Sequence, residues 1–306
     1  MKSKIYTVIA ASSFAFLSMF LITSCGDPED DKETRGPRLK QVISEMEAYD
    51  PEMTETDSIH FLYNAGNQLI AMVGNQSGDS ISMFYNQDGT ISKAEIRGMD
   101  DDNYTMMYAW SGNKLTLTET DYPDGKAVID LNSNGQIVRM ESWDFYEQQW
   151  ILGFYIVYTW AENNLISEET WYPADISSYF RYQSKGTPPA GASIKYSPRS
   201  VLRNNHLYGK TRNLKQDFVR EVVVTYTYDN KINPLKDFQI YKFSEIAFYS
   251  SVNNMISDEI VVYNSSGGIE ETYEDSYTFT YNTENYPLSK LEDYITWSFS
   301  ETYQYE

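Results

Sequence analysis

Tyr108-Ala109-Trp110-Ser111-Gly112-Asn113-Lys114-Leu115-Thr116-Leu117-Thr118-Glu119-Thr120-Asp121-Tyr122-Pro123 returns fifty residues later as YTWAENNLISEETWYP, Tyr158 to Pro173. Eight of the sixteen positions are unchanged: Tyr108, Trp110, Asn113, Leu115, Glu119, Thr120, Tyr122 and Pro123 recur as Tyr158, Trp160, Asn163, Leu165, Glu169, Thr170, Tyr172 and Pro173. This is an internal repeat. Its chemistry is that of a β-hairpin: aromatic, β-branched and aliphatic residues alternate on either side of Ser111-Gly112-Asn113 or Glu162-Asn163-Asn164, which supply residues that tolerate positive φ. Proline then closes the second strand, having no amide hydrogen for a ladder. A lone hairpin is marginal in water, so neighbouring copies must pair and share a core.

The same punctuation extends outward from this stretch. Gly66, Gly89, Gly112 and Gly135 fall twenty-three residues apart, a period of two strands and two turns. The local texts are Tyr63-Asn64-Ala65-Gly66, Tyr85-Asn86-Gln87-Asp88-Gly89 and Leu131-Asn132-Ser133-Asn134-Gly135, with an aliphatic residue, Leu69, Ile91 or Ile137, two or three positions after the glycine. Strands resume at Glu221 to Tyr228, pass Tyr263-Asn264-Ser265-Ser266-Gly267, and close on Ile295, Trp297 and Phe299 alternating with polar residues. The expected fold is all-β: a long twisted antiparallel meander of hairpins, free to curl into a half-pipe or barrel, with a β-sandwich as the alternative. Tyrosine, present 27 times, suits such a sheet because its ring is buried while its hydroxyl stays wet.

Before the hairpins the chain divides into three. Residues 1–24 read as a signal peptide, with a basic start and an uncharged apolar run from Ile5 to Ile22. Residues 25–37 open with the sole cysteine, Cys25, and continue through Gly26-Asp27-Pro28-Glu29-Asp30-Asp31-Lys32-Glu33, an acidic flexible tether. In residues 38–57, Leu39, Val42, Ile43 and Met46 recur at helical spacing, which predicts a short amphipathic helix and a lead-in. The repeat domain then occupies 58–306, interrupted at about 185–220 by a basic insert with eight Lys or Arg and one acid, Asp217. In a chain of net charge −20 this insert stands apart. Arg199, Arg203, Lys210, Arg212 and Lys215 form its candidate basic patch, facing phosphorylated lipid or folding back on the acidic sheet.

Leu21-Ile22-Thr23-Ser24-Cys25 resembles the lipobox of bacterial lipoproteins, and the acidic run behind it resembles the surface-export signal of Bacteroidetes lipoproteins. The resemblance implies that Cys25 is acylated and anchors the chain in membrane lipid of the outer membrane, facing the periplasm or, by preference, the cell surface. The Tyr-Asn/Asp-x-x-Gly turns resemble the tyrosine-aspartate repeats of Rhs-type proteins. Tyr228-Asp229-Asn230-Lys231 before Asn233-Pro234 resembles a domain of unknown function in Bacteroidetes lipoproteins. These likenesses imply a lipid-anchored all-β protein without assigned chemistry.

Catalysis is not expected, and a glycan-active enzyme stands only as the third reading. Only His60 and His206 are present, and no nucleophile elbow, zinc-binding His pair or phosphate loop occurs. Asp100-Asp101-Asp102-Asn103 lacks the alternate spacing of a calcium loop and reads as a solvated hairpin tip, so no metal and no cofactor is expected. Nucleic acid is disfavoured by the acidic charge. Six tryptophans, Trp110, Trp143, Trp150, Trp160, Trp171 and Trp297, offer flat rings on which a glycan stacks if they face outward. Trp110 and Trp160, with Tyr108 and Tyr158, are the candidate ligand-binding residues. A tryptophan in an alternating strand more often packs into the core, so orientation decides between glycan binding and a scaffold that meets another envelope protein. Oligomeric state is left open.

Overall fold

The computed structural model describes residues 37–48, 55–75, 78–98, 103–146, 148–174, 217–236, 243, 247–293 and 297–306. Sixteen strands run through them. The first eight are β1 (Leu39–Ala48), β2 (Glu55–Tyr63), β3 (Leu69–Gly74), β4 (Ser80–Tyr85), β5 (Ile91–Arg97), β6 (Tyr104–Ser111), β7 (Lys114–Glu119) and β8 (Tyr122–Leu131). The second eight are β9 (Ile137–Tyr146), β10 (Gln149–Ala161), β11 (Asn164–Pro173), β12 (Phe218–Tyr228), β13 (Met255–Tyr263), β14 (Ile269–Tyr281), β15 (Pro287–Asp293) and β16 (Trp297–Tyr305). Each pairs antiparallel with its sequence neighbours, and β16 pairs with β1, so the meander closes into a barrel. The sandwich alternative is therefore excluded, and closure leaves the meander without its two end edges.

The helix expected between Arg38 and Tyr49 is a strand instead, β1 over Leu39–Ala48. A β-bulge at Leu39/Gln41 shifts the register against β16, so the inward positions run Leu39, Val42, Ser44. The extra residue turns the first step of two into a step of three, and a bulged strand then carries the spacing of a helix. Docking decides the rest: β1 has ladder partners on both sides, whereas a twelve-residue helix is marginal alone.

Asparagine builds the turns. Asn132 Oδ1 accepts from the amides of Asn134 and Gln136 at 2.9 and 3.0 Å, and Asn64, Asn264 and Asn282 cap two amides of their own turns in the same way. The turns of the two repeat copies differ. Gly112 alone has positive φ in the first, while Glu162 and Asn163 both have it in the second, the patterns of type II′ and type I′ hairpins respectively.

Alternation places one face of every strand inside. Met72, Ile91, Met106, Leu115, Ile129, Ile137 and Leu165 are fully enclosed, and residues between β12 and β13 add Leu235, Phe243 and Ala247 to the same core. Phe243 meets Trp110 edge to face, 5.4 Å between centroids. The outward positions carry Lys93 and Glu95, Thr116 and Thr118, Arg139 and Glu141, Thr225 and Thr227, Thr278 and Thr280, Ser300 and Thr302, none of them buried. A barrel that spans a bilayer turns an apolar band outward, and a basic residue at mid-depth there costs roughly 2–4 kcal/mol.

Candidate binding face on the outer wall

The four aromatic residues singled out by the repeat face inward. Tyr108 and Tyr158 are 5% and 4% exposed, and Trp110 and Trp160 pack against the core with their indole N–H groups donating to Ile91 O at 2.9 Å and Ile137 O at 2.7 Å. No ring at these positions is laid open for a sugar to stack on. Their partners reveal the reason for the repeat. Tyr63 donates to Leu39 O, Tyr85 to Leu69 O, Tyr228 to Leu165 O and Tyr305 to Pro287 O. Each of these six acceptors lies at a β-bulge beside a turn or the chain end. A bulge takes a carbonyl out of the ladder, and an aromatic hydroxyl or indole from the neighbouring strand satisfies it. Cys25, the basic patch from Arg199 to Lys215, and Asp100 to Asp102 lie outside the described residues.

The interior of the β11–β16 half holds acids and tyrosines. Tyr226 donates to Glu168, Tyr277 to Asp258 at 2.7 Å and Tyr303 to Glu301 at 2.7 Å. Burial pushes the Glu168 carboxyl up to about 8 and that of Asp258 up to about 6, and it also raises Glu301. Burial by itself would lower Lys290, but Glu292, 2.5 Å away, together with Tyr249 and Glu301 holds its ammonium above the ordinary lysine value. The cavity beside Lys290, Tyr249 and Tyr303 is small, with room for about one water. These groups are sealed, and their hydrogen bonds are with each other.

The outer wall of β8–β12 is different. Trp150 and Phe145, 38% and 41% exposed, meet at 5.2 Å. Lys126 lies over Trp150 at 3.9 Å and over Trp143 at 6.0 Å. Glu141 joins this group to the next, accepting from Trp143 Nε1 at 3.0 Å and from Arg139 Nε at 2.8 Å. Arg139 in turn covers Tyr155 at 3.8 Å. Tyr155 lies nearly parallel to Trp171, 9° and 5.9 Å apart, and touches Phe218 at 5.2 Å. Cross-strand pairing sets the row: Lys126 opposes Trp143, Glu141 opposes Tyr155, Tyr155 opposes Trp171, and Trp171 opposes Arg220. The result is a face of flat rings interleaved with donors and acceptors. Other exposed apolar residues, such as Leu62, Phe84 and Leu288, sit on separate strands, as scattered surface residues ordinarily do. The repeat directed attention to Trp110 and Trp160. The usable signal was the unrepeated aromatic content of Trp143 to Tyr155.

No family model matches the sequence, and no curated protein matches it. Among solved structures, the chain is similar to a porin-like protein from Bacteroides uniformis ATCC 8492, at 11% identity over 89% of this chain and 100% of that one, with a TM-score of 0.34. It is also similar to a porin-like protein from Bacteroides vulgatus ATCC 8482, at 10% identity over 88% and 99% and a TM-score of 0.31. A protein of unknown function from Bacteroides fragilis NCTC 9343 aligns at 9% identity over 71% and 90%, with a TM-score of 0.20. Superpositions this loose decide nothing about activity.

Proposed function

We propose that the chain is a non-catalytic protein of the cell envelope, held to outer-membrane lipid through acylated Cys25, whose barrel wall binds glycan on the face from Trp150 to Trp171. The observation that carries this reading is the contiguous aromatic row on the outer wall of β8–β12. A sugar ring presents an apolar C–H face and a rim of hydroxyls. Trp150, Trp143, Tyr155 and Trp171 suit the first, and Glu141, Glu169 and Arg139 suit the second. The polar positions on the outer wall favour a tethered body over an inserted one, and the acidic residues 26–33 favour the cell surface. Carboxylates sealed beneath tyrosines favour a structural role for the interior over catalysis.

Affinity electrophoresis through gels containing neutral polysaccharides tests the reading. Retardation of the native protein, reduced at least about tenfold in affinity by Trp150→Ala or Trp171→Ala and unchanged by Phe84→Ala, is the expected result. Absence of retardation across a broad panel rejects it. A second reading, a scaffold that meets another envelope protein, draws on β14: residues 269–276 have no ladder to β15 among the described residues, and Ile269 is 65% exposed. Such an edge is open to strand addition.

A further inference from the structure

We propose that Lys126 makes the outer face selective for polysaccharides that carry carboxylate groups, an inference that rests on the glycan reading of that face. Lys126 projects outward from β8 and is held between two indole rings, over Trp150 at 3.9 Å and Trp143 at 6.0 Å. The other basic residues of β7–β12 are already paired, as is Lys93 on β5. Lys93 pairs with Glu95 at 2.6 Å, Lys114 with Asp130 at 2.5 Å, Arg139 with Glu141 at 2.8 Å and Arg220 with Glu169 at 3.7 Å. Lys126 forms no ion pair among the described residues, and its charge is the one left over on the aromatic face.

That position gives the charge a use. A sugar stacked on the exposed Phe145 and Trp150 side of the row brings its substituents to the ammonium, and a carboxylate there forms a charge-assisted hydrogen bond. The rings limit the water that competes for the ammonium, and cation–π contact fixes its place without neutralising it. The net charge of −20 repels polyanions only at long range. At physiological ionic strength screening cuts in at about 8 Å, so the nearest charge governs a docked residue. Neutral hydroxyls gain no comparable advantage from Lys126, which makes the lysine a determinant of specificity.

The test compares polygalacturonate with its methyl-esterified form, the same backbone with the carboxylate charge removed, by isothermal titration of the full chain. The expected result is about tenfold tighter binding of the free acid, a preference that shrinks with added sodium chloride and falls to about unity in Lys126→Gln, while Lys93→Gln keeps it. Equal binding of the two polymers, or a preference that survives Lys126→Gln, overturns the role of Lys126 and leaves the glycan reading standing. Failure of both polymers to bind, together with failure of the neutral panel, overturns both. Inorganic phosphate or sulfate competing as well as galacturonate would show a general anion subsite and overturn carboxylate selectivity.

Discussion

Glu168 shows how one residue carries a cost of the closed barrel. Its carboxyl is enclosed, accepts from Tyr226, and has been pushed by burial from 4.5 up to about 8. Below pH 4.5 the carboxyl is protonated in both folded and unfolded chains and contributes no slope. Between about 4.5 and 8 folding takes up a proton, so its contribution to stability falls as pH rises, and above 8 the penalty is constant. Asp258 acts in the same direction, from 3.8 up to about 6. Glu168→Gln removes the ionisable group while keeping an acceptor for Tyr226. The urea midpoint of the variant is expected to exceed that of the native protein at pH 9 by the equivalent of at least ~1 kcal/mol and to converge with it near pH 4. Parallel midpoint curves would show that Glu168 is solvated. Removing Trp110 or Trp160, by contrast, takes a ring out of the core and a donor from a bulge carbonyl, so such variants report on stability.

The element that recurs is a strand ending in an aromatic, an asparagine-capped turn and an aliphatic residue at a bulge. Asn132 supplies two hydrogen bonds to its own turn through Oδ1 and a third through Nδ2 to Gln136 Oε1 at 2.8 Å. Asn132→Ala is expected to cost roughly 1–2 kcal/mol, seen as a lower thermal midpoint, and Asn132→Asp, which keeps the acceptor, is expected to recover most of it. Four of the tyrosines, Tyr63, Tyr85, Tyr228 and Tyr305, have their role at this scale. Bulges coil the sheet enough to close it, every bulge frees a carbonyl, and a long side chain with a polar tip is needed to reach back to it.

At the scale of the whole molecule, the inside of the barrel is packed with side chains, unlike the water-filled lumen of a pore, and the proposed tether leaves its outside in water. Chain lacking residues 1–25 is expected to stay monodisperse without detergent, measured by light scattering, and to give no conductance when added to planar bilayers. Step-like currents, or aggregation relieved only by detergent, would show that the wall enters lipid.

How far the sequence reaches is clearest where its two copies diverge. The hairpins, their turns and the all-β class were legible from Tyr, Asn and Gly spacing, because alternation and positive φ are local demands. The helix expected at Leu39 to Met46 was not borne out, and the orientation of Trp110 and Trp160, which the sequence left open, was decided by packing. A bulge also shifts phase between the two copies. Trp110 opposes Leu115 and Ala109 opposes Thr116 without a break, whereas in the second copy Trp160 opposes Leu165 and Thr159 opposes Ser167, with Ile166 extra. Glu119 therefore points inward at 1% exposure, while its repeat-mate Glu169 points out and Glu168 goes in. Sequence by itself determined that this chain makes strands, where they turn, and which stretches repeat. Only tertiary structure decided closure and which side of each strand is wet, because a single bulged residue reverses the phase of everything after it, and bulges are placed by the pairing of neighbouring strands.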